Sequence, residues 1–260
     1  MSPQMLAFAE LGVENLKNKG RVLKNIDIGM LGAALLVIAQ WLLLSFGVGN
    51  QKNGIIESNW VKMPMSRFEA GIIVTAIGVP LYYIGIKEVI KSIRVVRRKR
   101  QIMDLRFAKI FECSAYASVI GFLFLHTVFV VLPITYKLLY ETTLMGADIF
   151  TVVESIYYYL AVPFWIYLII SVAGMSISWL YFMWTKRLRC SVLGYICNPL
   201  FTCLLGFLLS LIKVPIITDF VAASAALGLV FMFAASISHV VMLPDDRELA
   251  KRRARRAARR

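Results

Sequence analysis

Five polar side chains stand within or beside long apolar stretches of the sequence, where they could form a binding or reactive site. They are Gln40, Glu69, His126, Tyr158 and Asp219. An ionisable group in apolar surroundings is costly and by default marks a functional site or a buried pair. His126 is the central candidate, because an imidazole can bind a ligand or act as a general acid or base. The alternative is structural: His126 bonds to a neighbouring helix, and Asp219 caps a helix that begins after Pro215.

The other reactive residue types lack the spacing of a metal or cofactor site. The four cysteines form no CxxC pair, and neither histidine stands at ligand spacing from them. No DxxxD, HxxxD, GxSxG or glycine-rich phosphate loop is present. We therefore predict no metal, no cofactor and packing roles for the cysteines. Cys190, which follows Arg187 and Arg189, is a candidate for acylation.

The elements that must position these residues are membrane-spanning helices. Of the 260 residues 59% are apolar, above the roughly 45 to 50% of a typical globular chain, and the mean hydropathy is +0.72. A span needs about 20 apolar residues to cross about 30 Å of hydrocarbon. Six stretches qualify: Ile28 to Val48, Ala70 to just beyond Ile86, Ser114 to Leu132, Tyr157 to Trp184, Ser191 to Ile212 and Ile216 to Met242. The predicted fold is all-α, a polytopic membrane bundle of six transmembrane helices.

The basic residues sort to one side of this bundle. The formal net charge is +14, and all but five of the 29 Lys and Arg fall on the side that carries both termini. The five on the opposite side are Lys52, Lys62, Arg67, Lys137 and Lys213. Because cytoplasmic loops carry the excess of Lys and Arg, we predict cytoplasmic N and C termini in an inner membrane. No basic region followed by an apolar stretch opens the chain, so we expect no cleaved signal peptide.

Residue counts along the spans give the depth of each candidate. Gln40 lies about 14 residues along span one, and His126 lies about 16 residues up span three, on the order of 24 Å. The other three candidates open their spans from the outer side, so all five are expected to form a pocket open to that side. His239 reaches the inner surface, roughly 20 Å from His126 by the same arithmetic. The two histidines are therefore not expected to share a haem or a metal ion.

Three regions follow from the pattern. Residues 1–25 place Met5, Phe8 and Leu11 at helical spacing beside charged residues, which predicts an amphipathic segment. Residues 26–243 form the six-helix domain, and residues 244–260 form a basic cytoplasmic tail. A loop cluster and a tail cluster should bind anionic phospholipids of the cytoplasmic leaflet, at about 1 kcal/mol per charge. Their residues are Arg97, Arg98, Lys99, Arg100, Arg252, Arg253, Arg255 and Arg256. A protein partner of the tail is the alternative, and no nucleic acid is expected.

Small residues and prolines inside the spans indicate where helices meet or bend. Close backbone approach supplies packing in lipid, so small residues at helical spacing predict contacts. The sets are Gly29, Gly32 and Ala33; Ser171, Gly174 and Ser178; and Ala222, Ala226 and Gly228. Pro80, Pro163 and Pro199 each remove a helical hydrogen bond and permit a kink, and kinked bundles often enclose a cavity.

Several short motifs carry a resemblance to a known family. They are the glycine-rich first span from Gly29 to Gln40, Gly78, Pro80, Leu81, Tyr82 and Gly85 in span two, His126 in span three, and Asn198 and Pro199 in span five. With these motifs the chain resembles an uncharacterised bacterial family of six-span integral membrane proteins, known only as a domain of unknown function. In that family an acidic residue is common in span one, where this chain has Gln40. The resemblance implies a bacterial cytoplasmic membrane and no particular activity.

Three functions stay open. The leading hypothesis is a non-enzymatic membrane protein that binds or transports a small or lipidic solute within the bundle, motivated by the prolines and by Gln40, His126 and Asp219 at similar depth. The second is a membrane-embedded lipid-modifying enzyme with His126 as acid or base, against which the missing motifs count. The third is a structural or regulatory subunit that holds a protein partner or a second copy of itself.

Overall fold

The computed structural model describes residues 19–45, 52–53, 56–95, 102–142, 149–212 and 223–243. Several predicted features lie outside these ranges. They are Asp219, residues 1–18 of the amphipathic segment, the tail 244–260, and the two basic clusters, Arg97, Arg98, Lys99 and Arg100 in the loop and Arg252, Arg253, Arg255 and Arg256 in the tail.

The described residues are almost entirely helical, which confirms the all-α prediction. The α-helices in this part of the chain are α1 (Lys19–Leu44), α2 (Met65–Val95), α3 (Ile102–Thr127), α4 (Val131–Glu141), α5 (Ile149–Leu168), α6 (Gly174–Trp184), α7 (Pro199–Ser210) and α8 (Ser224–Val241). A π-helical segment, Ile169–Ala173, joins α5 to α6. Short 3-10 turns cover Ser58–Trp60 and Val192–Tyr195. Lys52–Asn53 pairs antiparallel with Ile56–Glu57.

Five stretches of the described chain are long and apolar enough to cross a membrane. They are Lys19–Leu44, Met65–Ile93, Leu105–Glu141, Ile149–Trp184 and Ser224–Val241, and they correspond to predicted spans one to four and six. The third joins α3 and α4, and the fourth joins α5, the π-helical segment and α6. The first begins at Lys19, so residues 19–25 belong to a spanning helix. The chain is a multi-pass membrane protein.

The fifth predicted span is wrong in its first part. The expected helix from Ser191 is replaced by a 3-10 turn and an irregular stretch, and α7 covers only the 12 residues from Pro199. Asn198 Oδ1 accepts a hydrogen bond from the N–H of Phe201 at 3.1 Å, and Pro199 needs no partner at the first helical position, so a helix starts here. Twelve residues extend only about 18 Å, well short of the hydrocarbon thickness.

The closest helix contact joins α1 to α2 through glycines. A methyl group on Gly29 or Gly85 would overlap the Cα of the other residue and press on the ring of Phe233 in α8. One turn further along α1, a methyl group on Gly32 would overlap the backbone of Tyr82. The predicted contact role of Gly29 and Gly32 is therefore confirmed, and α1 lies between α2 and α8.

The remaining helices pack around this centre through small and hydroxyl-bearing residues. Tyr82 OH lies 2.6 Å from Ser118 Oγ and ties α2 to α3. A methyl group on Gly174 would overlap the side chain of Ser114, which brings α6 against α3. Gly228 of α8 gives the same close approach to Pro199 of α7.

Buried apolar side chains form two groups. The larger surrounds Tyr82, Trp179 and Phe233. The smaller surrounds Trp60 and Phe68, where Trp60 meets the ring of Tyr136 edge to face at a centroid distance of 5.9 Å. Together they fill both halves of the bundle.

Basic side chains cap the helix ends and define the two ends of the bundle. Lys19 Nζ donates to the carbonyls of Val241 and Leu243 at 2.9 and 3.0 Å, at the end where α1 begins and α8 finishes, here named the Lys19 end. Arg67 Nε donates to the Leu42 carbonyl at 2.7 Å, and its guanidinium lies over the Trp41 ring, at the end where α1 finishes, here named the Arg67 end. Both caps satisfy carbonyls that have no partner within their helix.

The α1–α2 contact gives a first prediction. Gly85→Ala should destabilise the protein by about 1 to 3 kcal/mol, because the added methyl group would overlap the Gly29 backbone and press on the Phe233 ring. Gly71→Ala on the same helix is the control: its methyl group would meet its nearest atoms at 3.8 Å, so a gain of about 0.5 to 1 kcal/mol is expected. Unfolding of the detergent-solubilised variants measures both. Equal stability of the two would contradict the glycine contact.

Candidate functional site

A cavity lies within the bundle. It contains about 480 Å³ of empty space, part of it open to the outside, and residues of α1, α3, α5, α6, α7, α8 and the π-helical segment line it. On α1 and α8 the lining residues include Gln40 and Ala225, which are nearer the Arg67 end.

The walls of the cavity are mainly apolar. Aromatic rings from α3 and α5 contribute Phe122, Phe124, Phe164 and Tyr167, and Met175 adds a flexible thioether. Among the described residues that line the cavity, none carries a charge. Such a surface fits a neutral apolar or amphiphilic molecule, since an unpaired charge would be strongly disfavoured there.

A few polar groups interrupt these apolar walls. Gln40 is only 5% exposed, and its Oε1 accepts a hydrogen bond from the N–H of Ala226 at 3.3 Å. Ser118 Oγ donates to the Ala115 carbonyl at 2.7 Å, so the proton between Ser118 and Tyr82 belongs to the tyrosine. The Gln40 carbonyl oxygen and the Ser118 oxygen thus each accept a hydrogen bond within the protein.

The π-helical segment forms part of the wall. Ser171 and Val172 of this segment line the cavity, and Ser171 Oγ donates to the Tyr167 carbonyl at 2.6 Å. A π-helical turn inserts one residue and leaves backbone groups poorly paired, which is why such turns are frequent at functional sites. The Ser171 hydroxyl therefore donates its proton to a carbonyl within the cavity wall and not to a molecule in the cavity.

The segment between α6 and α7 runs along α8 from the Lys19 end to the cavity wall. The N–H of Arg189 donates to His239 Nδ1 at 2.9 Å near the end of α8, Cys190 Sγ donates to the Ala235 carbonyl at 3.2 Å, and Pro199 packs on Gly228. Successive residues of the segment thus contact α8 at positions progressively farther from the Lys19 end.

The N-terminus of α7 reaches the cavity wall at Pro199. Its first free N–H groups are satisfied by the protein: Leu200 N–H donates to Ser176 Oγ at 3.0 Å, and Phe201 N–H donates to the Asn198 cap. An exposed helix N-terminus would attract an anion. This one is occupied, which agrees with a cavity for neutral molecules.

Of the predicted site residues that the structure describes, Gln40 lines the cavity and the others do not. His126 is 1% exposed and does not line the space, although its neighbours Phe122 and Leu125 do. Its Nδ1 donates to the Phe122 carbonyl at 2.8 Å, and no described group bonds to its Nε2. The residue is therefore held by its own helix, whereas the structural alternative expected a bond to a neighbouring helix.

The other predicted candidates do not meet Gln40. Tyr158 is 65% exposed on α5, where its hydroxyl lies 3.4 Å from Glu154 Oε1. Glu69 is exposed near the start of α2, and Asp219 lies outside the described residues. His239 bonds to Arg189 and not to His126, and no cluster of three His, Cys, Asp or Glu that could hold a metal occurs in the described part of the chain.

The structure adds cavity residues that the sequence did not single out. Tyr167, Phe164 and Ser118 line the space, and no described residue bonds to the Tyr167 hydroxyl. The sequence pointed to them only indirectly. Pro163 precedes Phe164 and Tyr167, and Ser171 and Gly174 follow on the same long helical stretch.

A model of the family of unknown function DUF6796 matches residues 14–242. The chain belongs to this family. The predicted membership of an uncharacterised domain-of-unknown-function family is confirmed. No curated protein and no solved structure matches this DUF6796 chain. The function must therefore be argued from the cavity itself.

The Cys190 thiol gives a pH prediction. Burial, and to a smaller extent the neighbouring Cys197, raise the pKa of this thiol to about 11. Only the thiolate is a nucleophile, so alkylation of a variant that retains Cys190 alone should rise tenfold per pH unit up to about pH 11. At pH 8 it should be roughly a hundredfold slower in the folded than in the denatured protein.

A variant that retains only Cys113, which is exposed on α3, is the control for detergent effects. A midpoint for Cys190 at or below pH 9 would show that the thiol is reactive, and would restore Cys190 as a candidate for acylation.

Proposed function

We propose that this membrane protein binds a small neutral or lipidic molecule in the cavity between α1, α3, α5 and α8. The observation that carries the proposal is a partly open space between the helices, with apolar walls and one buried amide at Gln40. Ligand sites are typically mostly apolar clefts with a few convergent polar groups. Binding is the function that needs no reactive group beyond those present.

The route into the cavity supports a ligand that arrives from the membrane or from the Arg67 end. Toward the Lys19 end, Arg189 and Cys190 of the segment between α6 and α7 bond to α8. Phe164 of α5 and Ala225 of α8 both line the cavity. A lipidic molecule entering from the apolar phase would meet aromatic walls before it reached Gln40.

We further propose that the Lys19 end faces the cytoplasm of a bacterium and that both termini lie on that side. The described basic residues support this orientation, since cytoplasmic ends carry the excess of Lys and Arg. At the Lys19 end they are Lys19, Arg21, Lys24, Lys87, Lys91, Arg94, Arg106, Lys109, Lys186, Arg187 and Arg189, against Lys52, Lys62, Arg67 and Lys137 at the other end. Anionic phospholipids of the inner leaflet would bind this basic end.

Filling the cavity tests the binding proposal. Gly121 lines the space, and a Cβ added there would meet Tyr167 Cβ at 3.6 Å, an ordinary contact. Gly121→Leu should therefore fold and occupy the cavity with its side chain. Mass spectrometry of molecules that co-purify from membranes should show a neutral compound with the wild-type protein that Gly121→Leu loses almost completely.

The matched control is Gly20→Leu on α1, where an added Cβ meets no atom within 4 Å. This variant should retain the compound at the wild-type level. Equal retention by Gly121→Leu and Gly20→Leu would place the compound outside the cavity and remove the proposal.

Reporter fusions test the orientation. Green fluorescent protein fused after Arg260 should fluoresce and alkaline phosphatase fused there should be inactive, because the first requires the cytoplasm and the second the opposite side. Phosphatase inserted after Lys62, at the Arg67 end, should be active. The reverse pattern would overturn the assignment of the Lys19 end to the cytoplasm.

A further inference from the structure

The Gln40 carboxamide is fixed in one orientation. Its partner is the N–H of Ala226 at 3.3 Å, and a backbone N–H can only donate. The atom that faces Ala226 must therefore be the side-chain oxygen and not the nitrogen. Ala226 lies in the first turn of α8, where N–H groups have no partner within the helix. Rotating the amide would leave that buried donor unpaired, at a cost of about 1 to 3 kcal/mol.

The fixed oxygen leaves the amide nitrogen with two donors to place. No described residue accepts a hydrogen bond from Gln40 Nε2, although Gln40 is only 5% exposed and lines the cavity. The nitrogen is not among the fully buried unpaired atoms of the described residues, so its two donors are accessible and can pair with a molecule that enters the cavity. The cavity is the space in which that partner can lie.

The other described polar groups of the cavity are bonded elsewhere and not to Gln40 Nε2. The Ser118 hydroxyl donates to Ala115 and accepts from Tyr82, and the Ser171 hydroxyl donates to the Tyr167 carbonyl. No described lining residue carries a charge, so an anionic acceptor would have no described cation beside it. The free hydrogen-bonding capacity at Gln40 is thus donor only, and it suits a neutral acceptor.

We propose that the cavity binds a neutral long-chain carbonyl compound, of the ester, ketone or quinone class, whose carbonyl oxygen accepts a hydrogen bond from Gln40 Nε2. The proposal rests on the binding function proposed above and names its ligand chemistry. The apolar chain would lie against Phe122, Phe124 and Phe164. Gln40 then has two roles, because its Oε1 caps α8 and its Nε2 selects the ligand.

A competition between two probes of equal length tests this chemistry. A sixteen-carbon methyl ketone and the sixteen-carbon alkane are offered together to the purified protein in detergent, and the bound fraction is extracted and quantified. Gly121→Leu, in which the cavity is filled, supplies the blank for partition into micelles. The wild-type protein should favour the ketone by roughly threefold to tenfold, the equivalent of one neutral hydrogen bond. Gln40→Leu should bind both probes alike.

Infrared spectroscopy of the wild-type protein gives a measurement that does not depend on how well a Gln40 variant folds. A ketone labelled with carbon-13 at the carbonyl should show a bound band shifted to lower wavenumber, as expected for an accepted hydrogen bond. Tyr167→Phe should keep the shift, because the donor is Gln40. A shift lost in Tyr167→Phe and kept in Gln40→Leu would overturn the assignment.

The outcomes separate this inference from the function on which it rests. If neither probe binds above the Gly121→Leu blank, the binding function itself fails for this class. If ketone and alkane bind equally to the wild-type protein and the carbonyl band does not shift, the cavity binds apolar molecules and the role of Gln40 as a donor is wrong.

Discussion

The direct contact between the backbones of α1 and α2 sets the positions of the other elements. Gly29 and Gly85 touch at their Cα atoms, and the ring of Phe233 lies against both. In lipid no hydrophobic force drives helices together, so dispersion between closely approaching backbones must supply the attraction. Because Phe233 belongs to α8, a single point fixes three helices. The next turn of the contact brings Gly32 to the backbone of Tyr82, whose hydroxyl then reaches Ser118 on α3.

This arrangement explains why a cavity persists beside a well-packed centre. With α1, α2, α3 and α8 fixed at Tyr82 and Phe233, the next layer toward the Arg67 end is completed by α5 and the π-helical segment, which pack less closely. Gly121 contributes no side chain to the space, and Pro199 ends the irregular segment that runs along α8 to the cavity wall. The polar group left at this level is Gln40, which is bound to the start of α8. The well-packed centre around Tyr82 and Phe233 thus supports the more open half toward the Arg67 end, where a ligand can bind.

Residue counting predicted depth correctly but could not predict direction around a helix. A rise of about 1.5 Å per residue places Gln40, Glu69, His126 and Tyr158 at the same end of the bundle from sequence alone. Whether they meet depends on which face each helix turns to its neighbours, and that is decided by contacts such as Gly29 with Gly85. Hydropathy likewise predicted six spans, of which five are found in the described chain, and misread residues 191–198, because the apolar residues of this irregular segment look like those of a helix. The Asn198–Pro199 pair held the missing signal, since a cap followed by proline marks a helix start.

The short α7 also bears on the chemistry of the cavity. A helix that begins inside the membrane directs the positive end of its dipole at the adjacent space, and in many transporters such half-helices bind anionic substrates. In this protein Ser176 and Asn198 occupy the N–H groups of Leu200 and Phe201, and the described residues that line the cavity include no cation. An anion would gain only a weak attraction to the helix dipole, because these N–H groups are already bonded, and it would lose its hydration. The free-energy balance therefore favours a neutral molecule. The same geometry that starts α7 within the bundle therefore supports a lipid-like carbonyl compound and not a charged metabolite as the ligand of this cavity.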